Sequence, residues 1–231
     1  MNLSHSAGVI QGASFTRTSL VAVLAGAAGA LHFEDCDFAD ADLARLDLQD
    51  AKFSNCGFAH TSFYASNLSR TSWQRCRAAH ADFESAELVD AHFSSCDLNN
   101  TAWRRCRMAS ASFTGCKLTG AHFEEVGQLG LVFEQSLLAG AYLCRMSFKN
   151  ARLSGLDFQD ADLSGCDFRG AVFAESSIRN AHLKDTHFEG ADLRGADIAG
   201  VKLSNAKLFK GAIISSRQAA ELMLELGLLV G

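Results

Sequence analysis

Eight cysteines and eight histidines are the side chains of this 231-residue sequence best suited to chemistry. Thiolates and imidazoles at the right spacing hold zinc, close disulfides or pair as nucleophile and base. Here the spacing argues for something else. Cys36, Cys56, Cys76, Cys96 and Cys116 are 20 residues apart, Cys106 and Cys166 keep the same phase in steps of ten, and no C-x-x-C pair occurs. Rungs of such a ladder are close enough to bridge on distance alone, yet cysteine is also a good small buried residue, and packing is the expectation. Cys144 alone falls on an outward position. His60 and His80 are also 20 apart, but a two-histidine metal site lacks an acidic third ligand. His32, His92, His122, His182 and His187 share another outward register. No Ser-His-Asp order, carboxylate pair or phosphate-cradling glycine loop stands out. The expectation is no catalytic residue, no metal and no cofactor: not an enzyme.

All these intervals are multiples of five, and five belongs to neither a helix nor a strand. In ADLSGCDFRGAVF (161–173), the large residues Leu163, Phe168 and Phe173 fall every fifth position. Stepping by five from Phe33 to Leu208 gives 36 centres, of which 34 are Phe, Leu, Ile, Met or Trp; Ala78 and Gln128 are the exceptions. Two residues before each centre, 31 of 36 are Ala, Cys, Ser, Thr or Val. The other three positions are mostly polar or glycine. A fixed period held this long marks a repeat architecture.

With 48% hydrophobic residues and a formal net charge of −5, the chain suits one elongated repeat domain and not a general nucleic-acid binder. Its longest apolar run, Leu20–Leu31, is too short for a membrane span of about 20 residues. That run also has the look of a signal-peptide core after Arg17. Against this, Ile10, Phe15 and Leu20 already repeat at five, offset from the Phe33 register, so a phase slip is expected within 21–32 as a bulge or small loop.

The units ADLAR (41–45), ADFES (81–85), ADLSG (161–165) and ADLRG (191–195) closely resemble the pentapeptide-repeat family, read as A(D/N)LXX. The resemblance implies an all-β fold, a right-handed quadrilateral parallel β-helix of four pentapeptides per coil. Residues 20 apart then stack, the centre and the small residue two before it point inward, and stability comes from coil on coil. Nine coils at about 4.8 Å each give a length of roughly 43 Å. Glycines such as Gly165, Gly170, Gly190 and Gly195 read as corner residues. Centres Phe33, Phe53, Trp73, Phe93, Phe113, Phe133, Leu153, Phe173 and Leu193 should form one column. The expected organisation is an N-terminal cap with irregular first repeats (1–32), the β-helix (33–210), and a C-terminal helix and tail (211–231).

In the tail, Ser215 and Gln218 form a capping-box signal, Ala219, Leu222, Met223 and Leu226 mark an apolar helical face, and Gly227 fits a C-cap. This helix should cover the open last coil. The residues Leu222, Met223, Leu226, Leu228 and Leu229 are also expected to pair two copies as a homodimer. DLRGADIAGVKL (192–203), RQAAELMLELGLLVG (217–231) and RCRAAHADF (75–83) look like segments of the Qnr quinolone-resistance proteins. That resemblance implies a DNA-mimicking dimer that binds the type II topoisomerases, DNA gyrase and topoisomerase IV, and protects them from quinolones; the cysteines, expected as buried free thiols, suggest a reducing, cytoplasmic setting. Loops that interrupt many Qnr helices have no counterpart in the unbroken 33–208 register; 124–133 and 21–32 are the two irregular places.

A mimic of DNA needs carboxylates. Outward acid-to-base counts on the four sides over 31–210 are 5:4, 6:3, 7:6 and 6:6. The second side, with Asp37, Asp40, Asp97, Asp157, Asp160 and Asp197, is the expected topoisomerase-facing stripe. Duplex of that length carries about 25 phosphate charges, so net charge alone is insufficient. A scaffold repeat protein with an unrelated partner, or a self-immunity protein against a topoisomerase-poisoning natural product, are the alternatives. Direct nucleic-acid or membrane binding is not expected.

Overall fold

A chain that repeats every five residues can bury its large residues only by turning at each unit, and the backbone does so. The structure, a computed structural model, describes residues 9–225 and Leu228. Residues at the corners adopt the left-handed region: Asp35, Asp40, Arg45 and Asp50, in one coil, have φ of 52°, 58°, 59° and 63°. Asp and Asn tolerate this conformation best among residues with a Cβ, and Gly165 (φ 70°), Gly170 (68°) and Gly190 (71°) take it as anticipated. Gly195 does not. It lies within a strand at a register shift, where a Cβ would sit 2.6 Å from the Phe173 carbonyl oxygen.

The chain divides into two compact units, Met1–Ser136 and Leu137–Gly231, each built as a parallel quadrilateral β-solenoid. In the first, β1 (Val9–Gln11), β2 (His32–Glu34), β3 (Lys52–Ser54), β4 (Ser72–Gln74), β5 (His92–Ser94), β6 (Ser112–Thr114) and β7 (Val132–Glu134) pair in sequence order. Phe33 faces Phe53, Phe53 faces Trp73, and so on at steps of 20. The remaining sides carry single parallel bridges, such as Asp37 to Gly57, Asp42 to Ser62 and Asp47 to Asn67. In the second unit, β8 (Arg152–Ser154), β9 (Val172–Ser177) and β10 (Asp192–Asp197) form a three-stranded sheet. Leu137 to Asp157, Tyr142 to Asp162 and Ser147 to Asp167 bridge its other sides.

Aromatic rings fill the first unit. Phe33, Phe53, Trp73, Phe93, Phe113 and Phe133 stack with centroids 4.4–5.4 Å apart, and rings of adjoining sides meet them edge-on. Both geometries suit the ring quadrupole. The indole N–H of Trp73 donates to Thr71 Oγ1 at 2.9 Å, and that of Trp103 to Thr101 Oγ1 at 2.7 Å. A threonine at the small inward position therefore serves each buried tryptophan.

All eight cysteines are free, and seven are buried. Cys76 Sγ donates to the Phe53 carbonyl at 3.4 Å and Cys96 Sγ to that of Trp73 at 3.5 Å. Burial pushes the Cys106 and Cys166 thiols up to about 12, so neither is a nucleophile at neutral pH.

The phase slip near the start is not a bulge or small loop. Ile10 stacks against Phe33, a step of 23 residues instead of 20, and the excess is taken up by α1 (Arg17–Gly26). Thr16 and Ser19 cap one another's backbone there, a signal the apolar run obscures. Patch 124–133 stays in the coil: Gly127 bridges Arg107, and Val132 pairs with Ser112. At the other end, the five-residue pattern continues to Leu208, but Leu203–Phe209 is a 3-10 helix. Phe209, not Leu208, stacks on Phe188, with centroids 4.6 Å apart. α2 (Ser216–Glu225) follows. Among the described residues no helix is long and apolar enough to cross a membrane.

Candidate protein-interaction face

The solenoid exposes three positions per pentapeptide, and the residue just before each centre does a local job. Its carboxylate accepts the backbone N–H two residues on: Asp37 from Ala39 (3.1 Å), Asp97 from Asn99 (3.3 Å), Asp157 from Gln159 (2.9 Å) and Asp197 from Ala199 (3.0 Å). These Asx-type bonds stabilise the turn, which is why the motif asks for Asp or Asn there. Four of the six expected stripe residues thus shape the coil as well as its surface. The other two, Asp40 and Asp160, occupy left-handed corners with φ of 58° and 55°.

The structure gathers these six only in part. Asp37 and Asp40 share the first full coil of the first unit, where both are exposed. Asp97 bridges Arg77 on one side and Lys117 on the other, so two cations flank it. In the second unit, Asp157 and Asp160 share one coil. Asp157 and Asp197 line an open cleft of about 800 Å3 with Leu137, Glu175, Arg179 and Arg194. Arg179 is 2.7 Å from Asp197. Against the raising effect of partial burial, the Ala199 N–H and Arg179 hold the Asp197 carboxyl below the usual carboxylate range. Of the six, Asp197 alone is ion-paired among the described residues. On the two following sides, arginines reach across a coil to carboxylates: Arg70 to Asp50 at 2.7 Å, Arg107 to Glu87 at 3.1 Å, Arg104 to Glu124 at 3.3 Å, and Arg105 to Glu84. Four arginines from the middle of the sequence are therefore spent on neighbouring carboxylates, whereas Asp37, Asp40, Asp97, Asp157 and Asp160 make no ion pair among the described residues.

His60 and His80 stack at 5.0 Å with planes 5° apart. Among the described residues no group of three His, Cys, Asp or Glu is arranged to hold a metal. Cys144 is half-buried, as its outward register implies.

α2 begins as its sequence signal requires: Ser215 N–H donates to Gln218 Oε1 at 2.7 Å, and Gln218 N–H to Ser215 Oγ at 3.2 Å. Gln218 is only 2% exposed, and its Nε2 donates to the carbonyls of Leu193 and Ala196 at 2.8 and 2.7 Å. This closing role was not legible in the sequence, where Gln218 served only as the capping partner. Of the expected dimer residues, Leu222 and Met223 are half-buried and Leu228 is 53% exposed. Leu226 and Leu229, with the expected cap at Gly227, lie outside the described residues.

A family model described as a pentapeptide repeat region matches residues 28–103, 46–123 and 141–216. Among solved structures, full-length QnrB1, described as a plasmid-mediated fluoroquinolone resistance protein, is similar with a TM-score of 0.60 and 15% identity over 95% of this chain and 97% of that one. A trypsin-treated single-substitution variant of QnrB1 matches at 22% identity and a TM-score of 0.46, covering 96% and 97% of the two chains. HetL of Nostoc sp. strain PCC 7120, described as involved in heterocyst differentiation regulation, matches at 22% and 0.40, covering 81% and 86%. A search among curated proteins finds no match.

Proposed function

Because this chain belongs to the pentapeptide-repeat family, we propose that it acts as a Qnr-like protector: it binds a type II topoisomerase on the enzyme's DNA-binding surface and counters quinolones or similar inhibitors there. No bond is made or broken. The observation that carries this reading is the set of carboxylates at second-side positions within each unit, Asp37, Asp40 and Asp97 in the first and Asp157 and Asp160 in the second, which make no ion pair among the described residues, while arginines of the first unit engage Asp50, Glu84, Glu87 and Glu124. A basic groove built for phosphates attracts such a face, and the association weakens with salt. The tail sequence 217–231 supports the Qnr-like assignment and a homodimer through α2.

The deciding experiment is DNA supercoiling by purified gyrase with ciprofloxacin while this protein is titrated in. Restored supercoiling at low protein supports protection. Inhibition without rescue keeps the topoisomerase as partner and replaces protection by inhibition. No effect in either direction rejects the reading. Asp157→Lys with Asp160→Lys should weaken gyrase binding at least severalfold, and unchanged affinity would remove those two residues from the interface.

A further inference from the structure

From Val21 to Leu31 the sequence VAVLAGAAGAL contains no charged or hydrogen-bonding side chain. The fold does not hide it. Leu20 is fully buried and anchors α1, and Arg17 donates to the carbonyls of Asp42 (3.0 Å) and Ala44 (2.8 Å). Beyond Leu20, every residue through Ala30 is exposed or half-exposed, and Val21 is 42% exposed. α1 and the strap that returns to β2 enclose an open apolar cleft of about 540 Å3, lined by Ile10, Val23, Ala28 and Leu31. Contiguous exposed apolar surface of this kind marks an interaction site.

Its surroundings identify the occupant. The coil beneath carries Glu34, Asp35, Asp37, Asp40, Asp42, Asp47 and Asp50. Asp42 is engaged by Arg17 and Asp50 by Arg70; the other five make no ion pair among the described residues. Asp47 lines a smaller cleft of about 210 Å3 together with Leu24 and Leu31, so apolar and acidic groups share one surface. A second copy docking there brings a like-charged collar against this one, which costs affinity. An anionic lipid surface is repelled for the same reason. An apolar recess rimmed by lysines and arginines satisfies both components, and DNA-handling enzymes present such rims.

We propose that α1 and the 27–31 strap form an apolar plug, collared by the carboxylates of the first coil, that docks into a basic-rimmed apolar recess on the protein partner. The inference rests on the topoisomerase reading for that partner's identity. It adds a second contact, distinct in chemistry from the carboxylate side: apolar burial gives affinity here, and the collar gives orientation.

The test uses the full chain and purified gyrase holoenzyme. Val21→Glu with Ala25→Glu changes two exposed positions on one face of α1 and leaves Leu20 and Arg17 intact. Wild type should bind gyrase, the double variant should bind at least tenfold more weakly, and its thermal melting should be unchanged. Should that variant melt early, Ala28→Glu with Ala30→Glu on the strap makes the same test outside the helix. Equal affinity of folded variant and wild type overturns the plug while the topoisomerase reading stands. Absence of wild-type binding overturns both. A wild-type dimer that the variant dissociates in sedimentation assigns the surface to a second copy and overturns the proposal. Flotation of wild type with phosphatidylglycerol vesicles refutes the charge argument and does the same.

Discussion

Two ten-residue helices, each entered through a reciprocal side-chain cap, bracket the repeats, and they are held by opposite means. α1 is fastened by an apolar residue, Leu20, with its apolar flank left facing water. α2 is fastened by a polar one, Gln218, whose amide closes two backbone carbonyls of the last coil. The difference follows from what each helix meets. α1 is inserted between two stacked edges, Ile10 and Phe33, and needs one side chain in the core to hold it there. α2 meets a terminating coil, whose carbonyls have no following strand to donate to them, and an unpaired buried carbonyl is costly. An apolar residue could cover that end but not satisfy it.

Leu20→Ala should break the first fastening with the largest effect, about 2–5 kcal/mol for a fully buried leucine, read as a lower urea midpoint. A loss below about 1 kcal/mol would mean that Arg17 and the Thr16 cap hold α1 unaided. Gln218→Leu sharpens the contrast. It fills the site but leaves both carbonyls unpaired, costing about 1–3 kcal/mol; a neutral or stabilising result would show that cover alone suffices. The proposed dimer role of the C-terminal end is probed by Leu222→Asp with Leu226→Asp, which should sediment as a monomer. A dimer surviving both substitutions places self-association elsewhere.

The smallest effect is with acid. Asp192, in the coil beside α2, is held at about 2 by hydrogen bonds from the Arg194 side chain and backbone, and Asp167 at about 2 by Arg169. A carboxyl depressed in the folded state stabilises it above the unfolded value of about 3.9, and that contribution disappears as pH falls toward 2. Both pairs lie at the surface with their arginines well exposed, so solvent screening keeps the gain small. Amide protection factors, corrected for the intrinsic exchange rate at each pH, should therefore fall around Asp192 and α2 between pH 4 and pH 2 before they do around α1. The reverse order would show that the polar end is not the more acid-sensitive one.

The period of five determined a great deal without coordinates. It separated inward from outward residues, ranked the cysteines as core, put Phe33 over Phe53, and predicted the corners, because a strict repeat leaves each residue type one environment. The same repetition hid what departs from it. Gly195 looks like every other corner glycine, yet sits in a strand against the Phe173 carbonyl. The run 20–31 reads as a slip but folds as a helix, since three surplus residues cannot be absorbed without leaving the coil. Leu208 keeps the phase, yet Phe209 takes the stack.

Outward positions were the least legible. Counting acids by side found the second side, but which charges survive depends on whether an arginine one coil away can reach across. Arg70 reaches Asp50; Asp97 sits between Arg77 and Lys117. Sequence alone fixes which side a residue occupies, because the period dictates the turn of the chain. Only the tertiary structure decides which carboxylates stay unpaired and which apolar residues stay bare. Those outcomes belong to neighbours 20 residues away and to the two ends, where the repeat has no next coil to satisfy it.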